Sequence, residues 1–333
     1  MLTEKSCVSF FNGQMMPILG LGTWQASADE VTVAVDAALE VGYRHIDTAF
    51  MYQNEEAIGK TLKKWFDSGR IKREDVFIVT KLPPKGNRAA SVEKYLTKSL
   101  EALQLSYVDL YLVHAPVGLQ EEGEELWPVD ETGTLRIDPE TDLISLWKGM
   151  EAQVDAGRTR AIGLSNFNAS QISRIVKSAR IHPANLQVEL NVFFQQRELV
   201  AFCKALNITV CAYAPMGSPG LINTLKARGL DVPECVRCEP LKDPVVCRIA
   251  ESHHKTAAQV LLRHCMQRGI IVIPKSVNPD RIKENFQVFD FELSKDDVEA
   301  LDALDKRSKG RRFTMGAFKG FDKHHEYPYA DPY

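Results

Sequence analysis

Four polar side chains of complementary chemistry stand close to the ends of three short apolar runs in this sequence. They are Asp47, Tyr52, Lys81 and His114, in the stretches RHIDTAFMYQNEEAIG, VFIVTKLPP and DLYLVHAP. Each apolar run has the length and composition of a buried strand. Polar groups at the carboxyl ends of successive parallel strands meet on one rim of a barrel. We therefore expect the four side chains to share one site.

Together these groups suit the reduction of a carbonyl by hydride. The phenol of Tyr52 can donate a proton to the developing alkoxide if its pKa, ordinarily about 10, is lowered toward neutrality. Lys81 can supply the charge that lowers this pKa, and Asp47 can hold Lys81 charged and oriented. His114 can donate a hydrogen bond to the carbonyl oxygen and orient the substrate. The hydride must come from a bound cofactor because no side chain supplies it.

Each residue taken singly also has a structural explanation. A tyrosine after a strand is commonly a packing residue, and an Asp–Lys pair at strand ends is commonly a structural ion pair. A lone histidine such as His114 is more often a hydrogen-bonded core residue than a catalyst. The joint placement of these residues on the second, third and fourth predicted strands favours a catalytic site.

Eight strand-like segments alternate with amphipathic helical patterns after an N-terminal hairpin. The hairpin, within residues 1–17, is predicted by two short apolar stretches around Asn12-Gly13. The strand segments are 18–22, 43–47, 76–80, 108–113, 159–164, 184–189, 209–213 and 270–273. Helical patterns include 29–41, 55–68, 91–103, 142–156, 169–178, 196–206 and 256–267. This order predicts an α/β fold, a (β/α)8 TIM barrel, with residues 1–333 as a single domain.

An open, doubly wound sheet is the rival fold. It would need a glycine-rich dinucleotide loop after its first strand, and GLGTWQ at 20–25 lacks the third glycine. Three segments interrupt the barrel pattern: a first long loop at 115–141, a second long loop at 214–243, and a C-terminal segment at 305–333. The two loops follow the fourth and seventh barrel strands, on the catalytic side. We expect the loops and the C-terminal segment to border the ligand site.

Composition excludes several other classes of protein. The chain has 333 residues, 44% of them hydrophobic and 26% charged, with a net charge of −3. No basic stripe indicates a nucleic-acid partner. No run approaches the ~20 apolar residues of a membrane span. Glu4 and Lys5 lie where a signal peptide would become apolar, so we expect a cytoplasmic protein.

The seven cysteines predict free thiols rather than a disulfide framework. Cys235 and Cys238 form the one CxxC pattern. A zinc site would need two further ligands, and the neighbouring His253 and His254 point in different directions on a helix. We expect no metal, and a redox role for the pair is hardly better supported.

The sequence resembles the aldo-keto reductase superfamily over nearly its whole length. Within that superfamily it is most similar to the aldose-reductase-like branch and its insect members. The matching runs are GLGTW at 20–24, GYRHIDTA at 42–49, TKL at 80–82, YVDLYLVHAP at 107–116, GRTRAIGLSNF at 157–167, LQVELN at 186–191, AYAPMGS at 212–218, IPKSVNPDRIKENFQVFDFELS at 273–294 and EYPY at 326–329. The resemblance implies that Tyr52 is the general acid in reduction, tuned by Lys81 and Asp47. It also implies a monomer.

The resemblance further implies an NADP(H) cofactor and the residues that hold it. Ser165, Asn166 and Gln187 would bind the nicotinamide carboxamide, and Tyr213 would stack on its ring. The other implied contacts are Thr23, Trp24 and Asp47 near the nicotinamide, Ser218 at the pyrophosphate, Lys275, Ser276, Val277 and Arg281 at the 2′-phosphate, and Glu284 and Asn285 at the adenine. Cationic and hydroxyl donors directly after the last strand suit a 2′-phosphate, which favours NADPH over NADH.

The sequence departs from the aldose-reductase pattern at two positions of the substrate pocket. Ala115 and Pro83 stand where that group has tryptophans, and Trp127 stands where a phenylalanine is usual. The predicted pocket residues are Trp24, Met51, Tyr52, His114, Ala115, Trp127, Phe313 and Met315. The lost aromatic area predicts a bulky substrate, steroid-like or isoprenoid, or a broad range of reactive aldehydes and sugars. The alternative function is a non-catalytic NADP(H)-binding structural or regulatory protein on the same barrel.

Overall fold

The protein is described from a computed structural model over residues 2–227, 229–315 and 318–330. Its strands are β1 Cys7–Ser9, β2 Met15–Pro17, β3 Leu21–Gly22, β4 His45–Asp47, β5 Phe77–Leu82, β6 Val108–Val113, β7 Thr159–Ser165, β8 Asn185–Glu189, β9 Thr209–Tyr213 and β10 Ile271–Val272. Its α-helices are α1 Ala28–Val41, α2 Glu55–Asp67, α3 Ala89–Leu103, α4 Leu143–Asp155, α5 Ala169–Ser178, α6 Arg197–Ala205, α7 Leu221–Ala227, α8 Glu234–Arg237, α9 Pro244–Ser252, α10 Ala257–Gln267, α11 Pro279–Phe286 and α12 Lys295–Asp302.

Strands β3 to β10 form one parallel sheet in which neighbours in the chain are neighbours in the sheet. Two parallel bridges, Leu19 with Val272 and Gly22 with Lys275, join the first strand segment to the last. The sheet therefore closes, and the predicted (β/α)8 barrel is confirmed. Strands β3 and β10 are shorter than the predicted 18–22 and 270–273 because isolated bridges, rather than a continuous ladder, close the barrel.

The two faces of the sheet pack into separate apolar layers. Along β5, Phe77 and Val79 point into the barrel, whereas Ile78 and Leu82 point toward the surrounding helices. This alternation follows from the two-residue period of a strand. The inward layer also contains Phe10 of the N-terminal hairpin, whose ring meets that of Phe77 edge-on at 6.0 Å. The hairpin therefore closes the amino-terminal end of the barrel and leaves the other end for a site.

The first long loop and the C-terminal segment fold against each other at the carboxyl end of the barrel. Val117, Leu119 and Leu135 of the loop are buried together with Phe321 of the C-terminal segment. A backbone hydrogen bond of 2.9 Å from Leu135 to the carbonyl of Lys319 joins the two segments directly. The second long loop contains the short helices α7 and α8. The strand ends thus lie beneath a rim built from these three segments.

The described residues contain neither a membrane-spanning helix nor a metal-binding cluster. Within residues 2–227, 229–315 and 318–330, no helix is long and apolar enough to cross a membrane. Across the same ranges, no group of three or more His, Cys, Asp or Glu side chains is arranged to hold a metal ion. All seven cysteines are free thiols, as the sequence predicts.

Candidate active site

The carboxyl ends of three adjacent strands bring the four predicted catalytic side chains together. Asp47 is the last residue of β4, Lys81 lies near the end of β5, and His114 directly follows β6. Tyr52 ends a one-turn 3₁₀ helix, Phe50–Tyr52, that follows β4. Because β4, β5 and β6 are neighbours in the sheet, residues far apart in sequence converge on one rim.

The ammonium of Lys81 links the acid to the phenol. Lys81 Nζ donates to Asp47 Oδ1 at 2.6 Å, to the carbonyl of Thr48 at 2.9 Å and to Tyr52 Oη at 3.3 Å. The Lys81 side chain is 0% exposed and that of Asp47 is 2% exposed. All three donor positions of the ammonium are used, so its direction toward the phenol is fixed. The predicted Asp47–Lys81–Tyr52 arrangement is present in the structure.

The pKa of Tyr52 beside Lys81 differs from the sequence-based expectation. Burial opposes the charge on Lys81, but Asp47 and Tyr52 favour it, so the pKa of Lys81 is raised. Burial raises the pKa of Tyr52 above its ordinary value, Lys81 lowers it, and burial dominates. The expected net lowering of the phenol pKa is therefore not found. The phenol is protonated at neutral pH, as a proton donor must be, and Lys81 is placed to stabilise the phenolate.

His114 is held as a neutral imidazole next to the phenol. Its ring meets that of Tyr52 edge-on, with centroids 5.7 Å apart. Burial, with a further contribution from Lys81, lowers the pKa of His114 to about 3. Within the described part of the chain, the buried Nδ1 of His114 has no hydrogen-bond partner. A neutral imidazole keeps one N–H, so His114 can serve as an uncharged donor to a carbonyl oxygen.

The predicted nicotinamide contacts lie on the next strands of the barrel. Asn166 follows β7, donates to the His114 carbonyl at 2.9 Å and accepts from the Tyr213 hydroxyl at 2.9 Å. Gln187 Nε2, on β8, donates to Asp47 Oδ2 at 2.7 Å. Ser165 ends β7 and accepts from Asn166 Nδ2 at 3.2 Å. These amides and hydroxyls match the hydrogen-bonding groups of a carboxamide, and they surround the catalytic side chains.

Thr23 and Trp24 complete this side of the rim. Thr23 Oγ1 donates to the carbonyl of Asp47 at 2.9 Å. The ring of Trp24, 36% exposed, meets that of Phe313 edge-on at 5.8 Å. Phe313 also meets Tyr213 edge-on at 5.5 Å. An aromatic face made of Trp24, Phe313 and Tyr213 therefore borders the site.

The predicted phosphate segment lies after β10, at the start of α11. Lys275 and the guanidinium of Arg281 are exposed. Asn278 caps the helix by accepting from the Arg281 backbone N–H, and its own N–H donates to Ser276 Oγ at 3.2 Å. Cationic side chains, a hydroxyl and a helix N-terminus together have the chemistry of a phosphate site. Ser218, in the second long loop, has a left-handed backbone conformation with φ of 49°.

The remaining residues predicted around the cofactor are distributed around α11. Val277 packs against the outer apolar layer, and Asn285 is buried. Glu284 accepts a hydrogen bond of 3.0 Å from Thr256 Oγ1. The predicted 2′-phosphate and adenine residues thus lie on α11 and on the segment directly before it.

The predicted substrate residues fall into two groups. Trp24, Met51 and Phe313 are at least partly exposed beside the catalytic side chains. Trp127 and Met315 instead pack with the apolar cluster between the first long loop and the C-terminal segment. Ala115 belongs to that cluster and is only 4% exposed.

Two buried polar residues that support the site, Asn54 and Glu189, were not predicted from the sequence. The buried amide of Asn54 donates to the carbonyls of Thr23 and Ala26 at 2.9 and 3.1 Å. Both carboxylate oxygens of Glu189, at the end of β8, accept from the Arg312 N–H at 3.0 Å, and one of them also accepts from the Phe313 N–H. Glu189 therefore fixes the backbone of Phe313. The position of Glu189 at a strand end was the one available sign of such a role.

Comparisons with known proteins agree with this geometry. The family model described as Aldo/keto reductase family matches residues 18–306. Aldo-keto reductase family 1 member A1 of Bos taurus is 42% identical, covering 98% of this chain and 99% of that protein. Prostaglandin F synthase 2 of Bos taurus is 39% identical, covering 98% of each chain. The solved structure of the aldose reductase from Schistosoma japonicum superposes with a TM-score of 0.87 at 42% identity, covering 98% of this chain and 100% of that one. The chain therefore belongs to the aldo-keto reductase family.

Proposed function

We propose that this protein reduces aldehydes and ketones to alcohols with NADPH, using Tyr52 as the general acid. One observation carries the proposal: the buried ammonium of Lys81 lies 2.6 Å from Asp47 Oδ1 and 3.3 Å from Tyr52 Oη on the carboxyl rim of the barrel. Membership of the aldo-keto reductase family supports carbonyl reduction as the reaction class.

Each residue of the site has a separate role in the reduction of one carbonyl group. When bound, NADPH supplies the hydride that reaches the carbonyl carbon. His114, neutral because its pKa is about 3, donates a hydrogen bond to the carbonyl oxygen and orients it. Tyr52 transfers its phenolic proton to the developing alkoxide. Lys81 stabilises the phenolate that this transfer leaves, and Asp47 balances the charge of Lys81.

The preference for NADPH rests on the segment after β10. Lys275, Ser276 and Arg281 offer two cations and a hydroxyl near the N-terminus of α11. A 2′-phosphate would gain charge-assisted hydrogen bonds there, whereas the bare 2′-hydroxyl of NADH would not. Asn166, Ser165 and Gln187 would hold the carboxamide by exchanging part of their present hydrogen bonds.

For the substrate we propose apolar carbonyl compounds, either bulky or of broad range. The support is the edge-on pair of Trp24 and Phe313, which offers apolar area and few hydrogen-bonding groups beside the site. A panel of sugars, short reactive aldehydes, steroids and isoprenoid aldehydes would rank these classes by kcat/KM.

The test of the function follows the loss of NADPH absorbance with this panel. The wild type is expected to consume NADPH only when a carbonyl compound is present. Tyr52→Phe is expected to bind NADPH as tightly as the wild type, measured by fluorescence, but to lose nearly all turnover. A wild type that binds NADPH and consumes none with any carbonyl would instead favour the non-catalytic NADP(H)-binding alternative.

A monomeric state and a cytoplasmic location complete the proposal. The family resemblance supports both. Light scattering on the eluting protein and imaging of the tagged full chain would test them separately.

A further inference from the structure

The turn at residues 83–87, directly after β5, carries a buried lysine that none of the catalytic steps uses. The side chain of Lys85 is only 5% exposed. Its Nζ donates to the backbone carbonyls of Glu122, Gly123 and Glu125 at 3.0, 2.9 and 2.8 Å. No carboxylate among the described residues lies within ion-pair distance of it. Three carbonyls of one loop therefore satisfy all three donor positions of this ammonium.

The same turn holds the beginning of that loop. Asn87, 1% exposed, donates from Nδ2 to the carbonyls of Ala115 and Val117 at 2.8 and 3.0 Å. The carbonyl of Pro84 accepts from the backbone N–H of Leu119 at 3.1 Å. The turn thus contacts the first long loop repeatedly between 115 and 125. A loop of this length without regular secondary structure needs such contacts to keep one conformation.

The loop fixed in this way carries an aromatic residue, Trp127, in the apolar cluster that contains Ala115. Trp127 follows the three carbonyls by two residues and stacks on Phe318 of the C-terminal segment, with centroids 4.1 Å apart and planes 18° apart. The same cluster contains Ala115, which is bonded to the catalytic His114. The position of Trp127 therefore depends on how the loop is held.

We propose that Lys85 determines substrate specificity by positioning the first long loop and Trp127 beside the catalytic centre. The proposal rests on the carbonyl reductase function proposed above. It extends that function to the turn at 83–87, where the aldose-reductase-like group has a tryptophan and this chain has Pro83. In that group the tryptophan itself supplies aromatic surface to the pocket. In this chain, Lys85 and Asn87 instead hold the loop that carries Trp127.

Lys85→Met removes the ammonium and keeps a side chain of similar length. In the variant we expect kcat/KM for bulky apolar aldehydes to fall about tenfold or more, through KM, because the aromatic surface that binds them is no longer fixed. For a short aldehyde we expect a change of less than about twofold, and NADPH affinity should be unchanged. Lys94→Met is the matched control, because Lys94 bonds the same loop through exposed Glu121 at 2.6 Å, away from the carbonyls of 122–125.

Two further measurements separate positioning from general stability. If Lys85 acts through Trp127, the variant carrying both Lys85→Met and Trp127→Ala should bind bulky substrates no worse than Trp127→Ala alone. A Glu-specific protease should cleave the glutamate-rich stretch 121–125 in Lys85→Met and leave it intact in the wild type and in Lys94→Met. Should Lys85→Met fail to fold, Lys85→Gln, which keeps part of the donor set, goes through the same measurements.

An equal loss on short and bulky substrates, additive effects in the double variant, or an uncleaved loop would overturn the role given to Lys85. A wild type without carbonyl-dependent NADPH consumption would instead overturn the proposed function, and the specificity role with it. The two failures are therefore distinguishable from the wild-type measurement alone.

Discussion

Removing the charge of Lys81 should lower both the stability of the protein and its activity. The loss of stability arises from Asp47, and the loss of activity from Tyr52. The Lys81–Asp47 pair is almost completely buried, with Nζ and Oδ1 2.6 Å apart. Truncating one partner of a buried ion pair leaves an uncompensated charge and costs about 3–5 kcal/mol of the free energy of unfolding. The Coulomb attraction at this distance, roughly 6 kcal/mol at an effective dielectric constant of about 20, is large enough to account for such a loss. Lys81→Met should therefore unfold at clearly lower urea concentration than the wild type.

The expected effect of Lys81→Met on the reaction rate arises from its contact with Tyr52 instead. An ammonium 3.3 Å from the phenol oxygen stabilises the phenolate by at most roughly 5 kcal/mol at the same dielectric constant. Loss of a single preorganised electrostatic group of this kind costs about 10²- to 10³-fold in rate. We expect Lys81→Met to lose kcat/KM by that factor while its NADPH affinity stays near the wild-type value.

The double variant Lys81→Met with Asp47→Asn separates the two effects. It contains neither buried charge, so it should regain much of the stability lost in Lys81→Met, because no unpaired carboxylate remains. It should not regain activity, because nothing stabilises the phenolate. Urea unfolding followed by circular dichroism, and NADPH oxidation with one good substrate, measure both quantities on the wild type, Lys81→Met, Asp47→Asn and the double variant. Recovery of activity together with stability, or wild-type stability of Lys81→Met, would refute this reasoning.

Three further outcomes follow from the charges of the site. Arg281→Met should weaken NADPH binding about tenfold or more and leave NADH binding nearly unchanged, since a charge-assisted contact to the 2′-phosphate is lost. Lys283→Met on the same helix is the control. Equal effects on both cofactors would contradict the assignment. His114, with a pKa of about 3, should show no imidazole titration by NMR between pH 8 and pH 5, and a midpoint near 6.5 would disprove its burial as a neutral group. Burial raises the pKa of Glu189 to about 7. Because this folded-state pKa lies above the unfolded value, the stability that Glu189 contributes is present at low pH and is lost as pH rises through about 7. Glu189→Gln should remove that loss from the pH dependence of urea unfolding, and an unaltered pH dependence would count against it.

Much of the fold and of the arrangement of the candidate site was predictable, because both depend on regular patterns. Buried parallel strands are short apolar runs, and eight of them with intervening helices predict a closed barrel. Asp47, Lys81 and His114 each occur at a strand end, so the barrel itself brings them to one rim. The sign of the Tyr52 pKa shift was not predictable in the same way. The sequence shows the nearby charge of Lys81, whereas desolvation of the phenol depends on tertiary burial.

Lys85 and Asn54 show a second limit of the sequence. Both are buried polar side chains whose partners are backbone carbonyls, and those of Lys85 lie 37 to 40 residues away in the chain. Every residue has a carbonyl, so no pattern of side-chain types reveals which carbonyl will accept. A buried lysine between proline and glycine therefore has the sequence appearance of an exposed turn residue.

The packing of Ala115 changes the interpretation of the two tryptophans that this chain lacks relative to the aldose-reductase-like group. From the sequence alone, a small residue after His114 predicts open space for a larger substrate. In the structure that space is occupied, because Ala115 is only 4% exposed and packs in one cluster with Phe321 and Trp127. The small side chain thus makes room for the chain's own loop and C-terminal segment. Lys85 helps to fix the loop and Glu189 helps to fix the C-terminal segment. Discrimination between substrates should therefore depend on these two residues as much as on any side chain that touches the substrate.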